Sequence, residues 1–276
     1  MEGGSGMILF DEAFQEIITL GYSFLIAMAL AMARAAGMVI ILPVFVRTGI
    51  TGILRGSVVI AIALSLVPHV MVEVSAAGEV GALVLTVVLL KEGFIGFLLG
   101  FALGIPFWGV EAAGEVVDFQ RGLMGATISD PSQTSEASVT GTFLVLTMIT
   151  LFFIADGMMI VIDTLYQTYR IWPLFDLSPE LSIASAASLF KLIDDIMRLA
   201  FVIAGPVMIA MFLGDAVLAA ITRFAPQLNV FVLSMGVKSA IFVAMMPLYA
   251  VFILDHIGDA FAPLHHVADQ FREMIR

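Results

Sequence analysis

Acidic side chains recur at helical spacing in a strongly apolar part of the sequence. Glu111, Glu115 and Asp118 are separated by four and three residues, and Arg121 follows three residues later. Residues at these separations share one face of a helix. Carboxylates on one face within apolar sequence are typical of a proton relay or a cation site. The other interpretation is a face that is solvated or paired with a neighbouring subunit. No histidine lies nearby, which favours this second interpretation.

Two further sets of charges lie within apolar runs. Lys91 and Glu92 are adjacent, so they project about 100° apart on a helix, and we expect each to need its own partner. Asp215 and Lys238 lie almost opposite each other if the two C-terminal apolar runs form an antiparallel hairpin. We interpret them as an ion pair between its two arms, with pairing to another subunit as the alternative.

The sequence offers little for catalysis or metal binding. It contains no GxSxG or HExxH motif, no cysteine, and no histidine between His69 and His256. Serines surround one aspartate without a general base, at Ser129, Asp130, Ser132 and Ser135. The tail combines three histidines with three aspartates, a set that suits metal binding but equally suits a solvated amphipathic tail: Asp255, His256, Asp259, His265, His266 and Asp269. We therefore predict no catalytic residue, no metal and no cofactor.

Composition determines the environment of these residues. The chain has 276 residues, of which 61% are hydrophobic and 13% charged, and a mean hydropathy of +1.09. Such a balance indicates an integral membrane protein in contact with membrane lipids. The formal net charge is −11 and no basic patch is present. Binding to nucleic acid or to anionic headgroups is therefore not expected.

The apolar runs predict an all-α membrane protein with about six or more hydrophobic helices, because one span needs ~20 residues. Arg34 and Gly37 are expected to break the first run. Lys91 and Glu92 interrupt the fourth, which predicts either two half-length helices or one helix enclosed by protein. Residues 167–198 form the longest predicted connector, and the last two runs form a hairpin. The runs are 14–33, 35–46, 57–72, 80–110, 143–166, 199–221 and 230–253.

Three glycines within the fourth run follow one another at four-residue spacing. Gly96, Gly100 and Gly104 line one helical face. Small residues at this spacing allow the backbone of a second helix to approach closely in a membrane protein. We therefore predict a helix-packing face, although glycine is also common in membrane helices in general.

Several segments, taken in order, resemble the SctT/FliR family of type III secretion export-gate subunits, and the injectisome branch more than the flagellar branch. The PFW step, the DFQRG run and the Y-R-x-W-P pattern carry most of the specificity. The segments are MARAAGMVIILPVFVRTGITGILRGS, KEGFIGFLLGFALGIPFWGVEAAGEVVDFQRG, the turn Asp130-Pro131, YQTYRIWPL and RFAPQLNVFVLSMGVKS.

The resemblance implies a non-enzymatic subunit in the bacterial inner membrane, within the basal body of the secretion system. Its partners would be R-type and S-type gate subunits, with which it would form a gated channel for unfolded secreted proteins. Residues 1–190 would be an R-type-like part, and residues 191–276 an S-type-like hairpin and tail. A secondary transporter or ion channel with intramembrane carboxylates is the main alternative, and an intramembrane enzyme is a weaker one.

The resemblance also suggests roles for individual residues. A polar face would contact other subunits or the channel, through Lys91, Glu92, Glu111, Glu115, Asp118 and Arg121. The three glycines would allow tight helix stacking. The hairpin turn would lie at the cytoplasmic mouth, near the switch-type (U) and ring-forming (V) export subunits, through Arg223, Gln227, Asn229 and Lys238.

Overall fold

The chain is helical wherever regular structure is described. The computed structural model describes residues 3–78, 80–122, 138–177, 183–225, 227 and 229–261. These residues contain eight helices and no strand, which confirms the all-α prediction. The helices are α1 (Gly3–Ile41), α2 (Pro43–Val46), α3 (Gly52–Ala77), α4 (Ala82–Arg121), α5 (Val139–Ile154), α6 (Gly157–Ile171), α7 (Ile183–Thr222) and α8 (Val230–Phe261).

Four helical segments are long and apolar enough to cross a membrane. They are Phe14–Ile41, Gly52–Ala77, Ala82–Arg121 and Phe190–Thr222. Helices α5 and α6 together satisfy the same criterion as a broken span bent by 77°, and α8 contains the shorter apolar segment Val232–Pro247. The chain is thus an all-α membrane protein, and its described residues contain four candidate spans, or five when the bent pair is counted as one.

The charged interruptions do not break the helices that carry them. The expected break at Arg34 and Gly37 was wrong, because α1 continues to Ile41. Helix α4 likewise runs without interruption through Lys91 and Glu92, so the alternative of two half-length helices was wrong. The contacts described below explain both results, because each charge meets a partner inside the protein.

The backbone turns sharply between α5 and α6. Asp156 adopts a left-handed conformation with φ of 53°, which aspartate tolerates better than most residues. Gly157 follows, and a Cβ there would overlap the ring of Phe152. The predicted connector 167–198 is shorter than expected, because α6 extends to Ile171 and α7 begins at Ile183.

The chain divides into two compact units. The first takes its described residues from Met1–Phe101 and Ile162–Leu181, and the second from Ala102–Val161 and Ser182–Met274. The first unit has a core of aliphatic side chains that includes Leu30, Val39, Leu66, Ile95 and Leu99. The core of the second includes Phe107, Phe152, Ile203, Val207 and Met211. The proposed division between residues 190 and 191 rests on resemblance to separate subunits and stays a prediction.

The C-terminal hairpin lies entirely in the second unit. Helices α7 and α8 pack against each other on either side of the short connector that follows Thr222. The hydroxyl of Tyr249 on α8 donates a hydrogen bond to the carbonyl of Ile203 on α7, at 2.9 Å. The helical hairpin predicted from the last two apolar runs is therefore present.

Some predicted motifs lie outside the described residues. The serines around Asp130 and the Asp130-Pro131 turn fall within residues 123–137, and two of the tail histidines within residues 262–276. For Asp255, His256 and Asp259 the helix is described but the side chains are not.

Candidate functional site

An arginine and a glutamate form an ion pair in the interior of the first unit. Arg34 on α1 and Glu92 on α4 both have fully buried side chains. The guanidinium Nε lies 2.5 Å from Oε2 of Glu92, and Nη2 donates to Oε1 at 2.9 Å. This is the two-pronged geometry in which an arginine binds a carboxylate most strongly.

The same guanidinium also binds α6 and the residue that follows it. Nη1 donates to the hydroxyl of Thr168 at 3.0 Å, and Nη2 donates to the carbonyl of Trp172 at 3.3 Å. The ring of Tyr169 lies flat against the guanidinium, with 3.7 Å between its centroid and Cζ. Arg34 thereby joins three helices, and every contact is one that offsets the cost of burying a charge.

Lys91 uses its ammonium group to hold the segment 172–177 after α6. Its Nζ donates to the carbonyls of Pro173, Leu174 and Asp176, at 2.9, 2.6 and 3.2 Å. It also lies 3.1 Å from Oε1 of Glu92. Each charge therefore has partners of its own, as their spacing predicted, and the two also contact each other. We call Arg34, Lys91 and Glu92 the buried charge cluster.

Two further side chains fix the same segment. The carboxylate of Glu73 on α3 accepts a hydrogen bond from the backbone N–H of Leu174, at 2.9 Å. The indole N–H of Trp172 donates to the carbonyl of Asp176, at 2.8 Å. Within the segment the backbone N–H of Asp176 also donates to the carbonyl of Pro173, at 3.3 Å, and the side-chain contacts satisfy further backbone groups that would otherwise be costly to bury.

The buried charge cluster lies beside a close crossing of α1 and α4. A Cβ at Gly96 would overlap the carbonyl oxygen of Arg34, and one at Gly100 would lie 2.6 Å from the carbonyl oxygen of Met38. Gly37 on α1 has the reciprocal position, because its Cβ would lie 2.9 Å from the backbone nitrogen of Phe97. Gly104, in the same row, is buried. Gly96 and Gly100 therefore lie where the backbones of α1 and α4 come close together, and their role as a helix-packing face stays a prediction.

A second polar cluster surrounds Asp118 in the second unit. Its carboxylate accepts hydrogen bonds from the hydroxyls of Ser138 and Thr140, both at 2.6 Å, and from the backbone N–H of Thr140 at 2.9 Å. The guanidinium of Arg121 lies 3.1 Å away. Ser138 caps α5 by accepting from the N–H of Gly141 at 2.8 Å. We call Asp118, Arg121, Ser138 and Thr140 the α5 anchor.

The α5 anchor uses the electrostatics of a helix start. The first N–H groups of a helix lack partners within the helix, and a carboxylate there also interacts favourably with the helix dipole. Gly114 allows the close approach, because a Cβ there would meet the backbone of Thr140 and Gly141. Arg121 also lies over the ring of Phe242 on α8, at 4.3 Å.

The three carboxylates of the predicted polar face have different environments. Asp118 is buried and serves the α5 anchor, Glu111 is mostly buried, and Glu115 is exposed. Among the described residues, no group of three or more histidine, cysteine, aspartate or glutamate side chains has the arrangement of a metal site. The three side chains of the predicted face therefore differ in their exposure.

The hairpin residues are arranged as the antiparallel register predicts. Nζ of Lys238 lies 2.7 Å from Oδ2 of Asp215, whose other oxygen accepts from the hydroxyl of Ser234 at 2.7 Å. The side chain of Asn229 accepts a long hydrogen bond of 3.4 Å from the N–H of Val232 at the start of α8. Arg223 and Gln227 are exposed. The Asp215–Lys238 pair is thus a contact between the two arms.

The sequence analysis identified most of the charged residues of these clusters, but not the residues that they contact. Arg34 was singled out only as a break in the first apolar run and as part of a family segment, although a lone arginine in an apolar helix is itself a sign of a functional or structural site. Thr168 and Tyr169 carry no comparable signal. Their part in the cluster depends on a packing arrangement that joins residues 134 positions apart.

Similarity to known proteins extends over most of the chain. Residues 25–264 match the family model described as bacterial export proteins, family 1. Yop proteins translocation protein T of Yersinia pestis is 36% identical over 237 residues, which cover 86% of this chain and 90% of that protein. Surface presentation of antigens protein SpaR of Salmonella typhimurium is 32% identical over 80% of this chain and 81% of its own length.

Flagellar relatives are more distant. Flagellar biosynthetic protein FliR of Bacillus subtilis is 28% identical over 158 residues, which cover 56% of this chain and 61% of that protein. The order of these similarities agrees with the predicted preference for the injectisome branch. The chain belongs to the bacterial export proteins, family 1.

Proposed function

We propose that the protein is a structural subunit of the type III secretion export apparatus in the bacterial inner membrane. The observation that carries this proposal is the similarity to the Yersinia translocation protein, which extends over 86% of the chain. In the proposed assembly the chain joins R-type and S-type membrane subunits in a gated channel for unfolded proteins. Residues 1–190 supply the R-type-like part, and residues 191–276 the S-type-like hairpin.

The geometry of the charged groups supports a structural role. Glu92 is held by Arg34 and Lys91, and Asp118 by Arg121 and three hydrogen-bond donors near the start of α5. Both carboxylates are engaged with groups of the same chain, an arrangement suited to holding helices in place. It is less suited to a transporter, whose site must release its ion or substrate.

Glu115 and its neighbours on α4 are the proposed point of contact with other subunits. Glu115 is exposed, and the side chain of Phe119, one turn further on, is 68% exposed. Exposed aromatic rings are enriched in protein interfaces, and polar groups such as a carboxylate surround them at the rim. The exposed hairpin residues Arg223 and Gln227 are the proposed contact with the switch-type and ring-forming subunits at the cytoplasmic mouth.

Substitution of one exposed and one internal carboxylate tests the proposal. We expect Glu115→Lys to reduce secretion and co-purification with R- and S-type subunits without changing the melting temperature of the isolated chain. Asp118→Ala is expected to reduce secretion, co-purification and the melting temperature together, because it removes the anchor of α5. Each variant gene is expressed in a strain from which the chromosomal gene is deleted, and the same strain complemented with the wild-type gene is the reference. Glu16→Lys, at an exposed position on α1, is the control variant.

Two results would contradict the proposal. One is normal secretion in the strain that lacks the chain. The other is a chain purified in mild detergent without R- or S-type subunits from cells that make all of them.

A further inference from the structure

A polar cavity of about 310 Å³ lies between α3 and α6 in the first unit. It is lined by His69 of α3 and by Asp163, Tyr166, Gln167 and Arg170 of α6. None of these residues belongs to the buried charge cluster or to the α5 anchor. The cavity combines groups that donate hydrogen bonds, groups that accept them, and charges of both signs.

The two opposite charges of the cavity are on the same face of α6 but do not neutralise each other. Asp163 and Arg170 are separated by seven residues, or about 10 Å along a helix, and both are exposed. The Nε2 amide of Gln167 donates to one carboxylate oxygen of Asp163 at 2.7 Å, which leaves the other oxygen available. A ligand that carries an anion and a cation a few ångströms apart can meet both charges.

The remaining lining groups add donors and acceptors between these charges. The imidazole of His69 is 43% exposed, and its Nε2 lies 3.5 Å from the carboxylate of Glu73. The hydroxyl of Tyr166 donates to the carbonyl of Ser65 on α3, so the lone pairs of its oxygen remain as acceptors. His69 and Arg170 suit an anion, while Asp163 and Tyr166 suit a primary ammonium group.

The cavity lies where the surface of α3 changes from apolar to polar. Ile60 and Leu64 lie about two and a half and one and a half turns before His69, and their side chains are 46% and 56% exposed. His69 and Glu73 follow in the last part of the helix, where Val72 is also exposed. Contacts from Ser65 to Tyr166 and from His69 to Tyr169 show that α3 and α6 run in the same direction. A change of this kind along a membrane helix is typical of the headgroup layer.

We propose that this cavity binds the headgroup of a zwitterionic aminophospholipid. The phosphate accepts hydrogen bonds from Arg170 and His69, the ammonium donates to Asp163, and the acyl chains lie along the exposed apolar surface of α3. The headgroup has no net charge, so it suits a protein with a formal net charge of −11 better than an anionic headgroup does. This inference goes beyond the export role and does not depend on it.

The proposed site is linked to the core of the first unit through one aromatic side chain. The rings of His69 and Tyr169 are in edge contact, with 5.9 Å between their centroids. The other contact of the Tyr169 ring is with the guanidinium of Arg34. A bound headgroup therefore supports a residue that packs on the buried charge cluster, and should raise the melting temperature.

Lipid selectivity of the wild-type chain is the first test. The full-length chain in detergent is mixed with dioleoyl phosphatidylethanolamine, phosphatidylcholine or phosphatidylglycerol, and the retained lipid is measured by native mass spectrometry. We expect phosphatidylethanolamine to bind about tenfold more tightly than the other two, a typical effect of one lost charge-assisted hydrogen bond. The quaternary nitrogen of phosphatidylcholine has no N–H to donate, and phosphatidylglycerol has no cation.

Substitutions locate the site. Asp163→Asn and Arg170→Gln should each weaken binding of phosphatidylethanolamine about tenfold. The controls Asp194→Asn and Arg198→Gln change exposed residues of α7 and should bind as the wild type does. Melting temperatures measured without lipid check that all four variants fold. If a variant fails to fold, the comparison of the three lipids on the wild-type chain still tests the proposal.

Several outcomes would overturn the proposal. Equal retention of phosphatidylcholine would show that no ammonium N–H group is needed, which contradicts the proposed contact with Asp163. Unchanged binding in both cavity variants would show that the lipid binds elsewhere. Saturation of the site by soluble phosphoethanolamine at the same concentration would identify a small phosphate compound as the ligand. A cavity that excludes lipid in the purified export complex, because another protein subunit covers it, would show that the site binds protein instead.

Discussion

Glu92 is the counter-ion of two cations at once. Its carboxylate lies 2.5 Å from Nε of Arg34 and 3.1 Å from Nζ of Lys91. Lys91 has three backbone carbonyls as further partners, whereas the only carboxylate within reach of Arg34 in the described structure is Glu92. In the Arg34–Glu92 pair the two residues are therefore not equivalent: Glu92 has a second cation as partner, whereas Arg34 has no second carboxylate among the described residues. Removing Glu92 and removing Arg34 should change the stability by different amounts.

We expect Glu92→Met to destabilise the chain more than Arg34→Met. The first change leaves the buried guanidinium of Arg34 and the half-buried ammonium of Lys91 without a carboxylate; for a buried charge that loses its partner, a loss of ~3–5 kcal/mol is typical. The second leaves Glu92 with Lys91 as its partner. The double variant should lose less than the sum of the two single losses. Unfolding of the purified chain in detergent, followed by circular dichroism, measures all three.

A matched control for these variants is Glu115→Met, an exposed carboxylate on the same helix. We expect it to change stability by less than ~0.5 kcal/mol. If Glu92→Met proved as mild as this control, the buried charge cluster would not contribute to stability.

At the scale of elements, the crossing of α1 and α4 depends on the absence of side chains. Gly96 and Gly37 let the two backbones approach, and this approach brings Arg34 within reach of Glu92. The helix crossing and the ion pair are thus parts of one arrangement. Arg34 and Glu92 interrupt the apolar pattern of α1 and α4, but neither breaks its helix, because the two charges pair with each other at the crossing.

Gly96→Ala tests this dependence. Alanine is normally more favourable than glycine inside a helix, by roughly 0.5–1 kcal/mol. At Gly96 the added methyl group would overlap the backbone of Arg34, so we expect a lower melting temperature. Gly56→Ala on α3 is the control, because a Cβ there meets nothing within 4 Å, and it should leave stability unchanged or slightly higher. An equal response of the two variants would contradict the close crossing.

The sequence predicted those features that depend on spacing alone. The glycine row, the hairpin and the Asp215–Lys238 pair all follow from helical period and antiparallel register. The continuity of α1 did not follow, because the partners of Arg34 lie 58 and 134 residues further along the chain, and the continuity of α4 was only one of two alternatives. Local patterns report that a charge needs a partner, but only packing determines which residue provides it.

At the scale of the whole molecule, a large apolar surface faces outward. Exposed side chains on α7 include Phe201, Ile209, Phe212 and Val217, each at least 58% exposed. In a membrane protein such a surface contacts lipid or neighbouring subunits. Arg34, Glu92, Glu111 and Asp118 are the buried charged residues of the described structure, whereas many other charges, such as Glu115, Asp194 and Arg198, share the outer surface with these apolar side chains.

This distribution leads to an expectation for the chain in isolation. When purified and reconstituted alone in liposomes, it should produce no flux of ions or small solutes above protein-free liposomes, because Glu92 and Asp118 are occupied by partners in the same chain. Flux assays with a pH-sensitive dye and with radiolabelled solutes measure this. Flux that disappears in Asp118→Asn but not in Glu16→Gln would favour a transporter over an export subunit.

Arg34 also has a consequence for how the chain is made. The ribosome synthesises it 58 residues before Glu92 and 138 residues before the carbonyl of Trp172. An arginine at the centre of a newly inserted helix costs ~2.5–3.5 kcal/mol. Arg34 lies nearer the end of the span Phe14–Ile41, so its cost is smaller, and it persists until α4 is synthesised. The first helix is therefore less stable in the membrane during translation, and it becomes more stable once Glu92 has been inserted and can pair with Arg34.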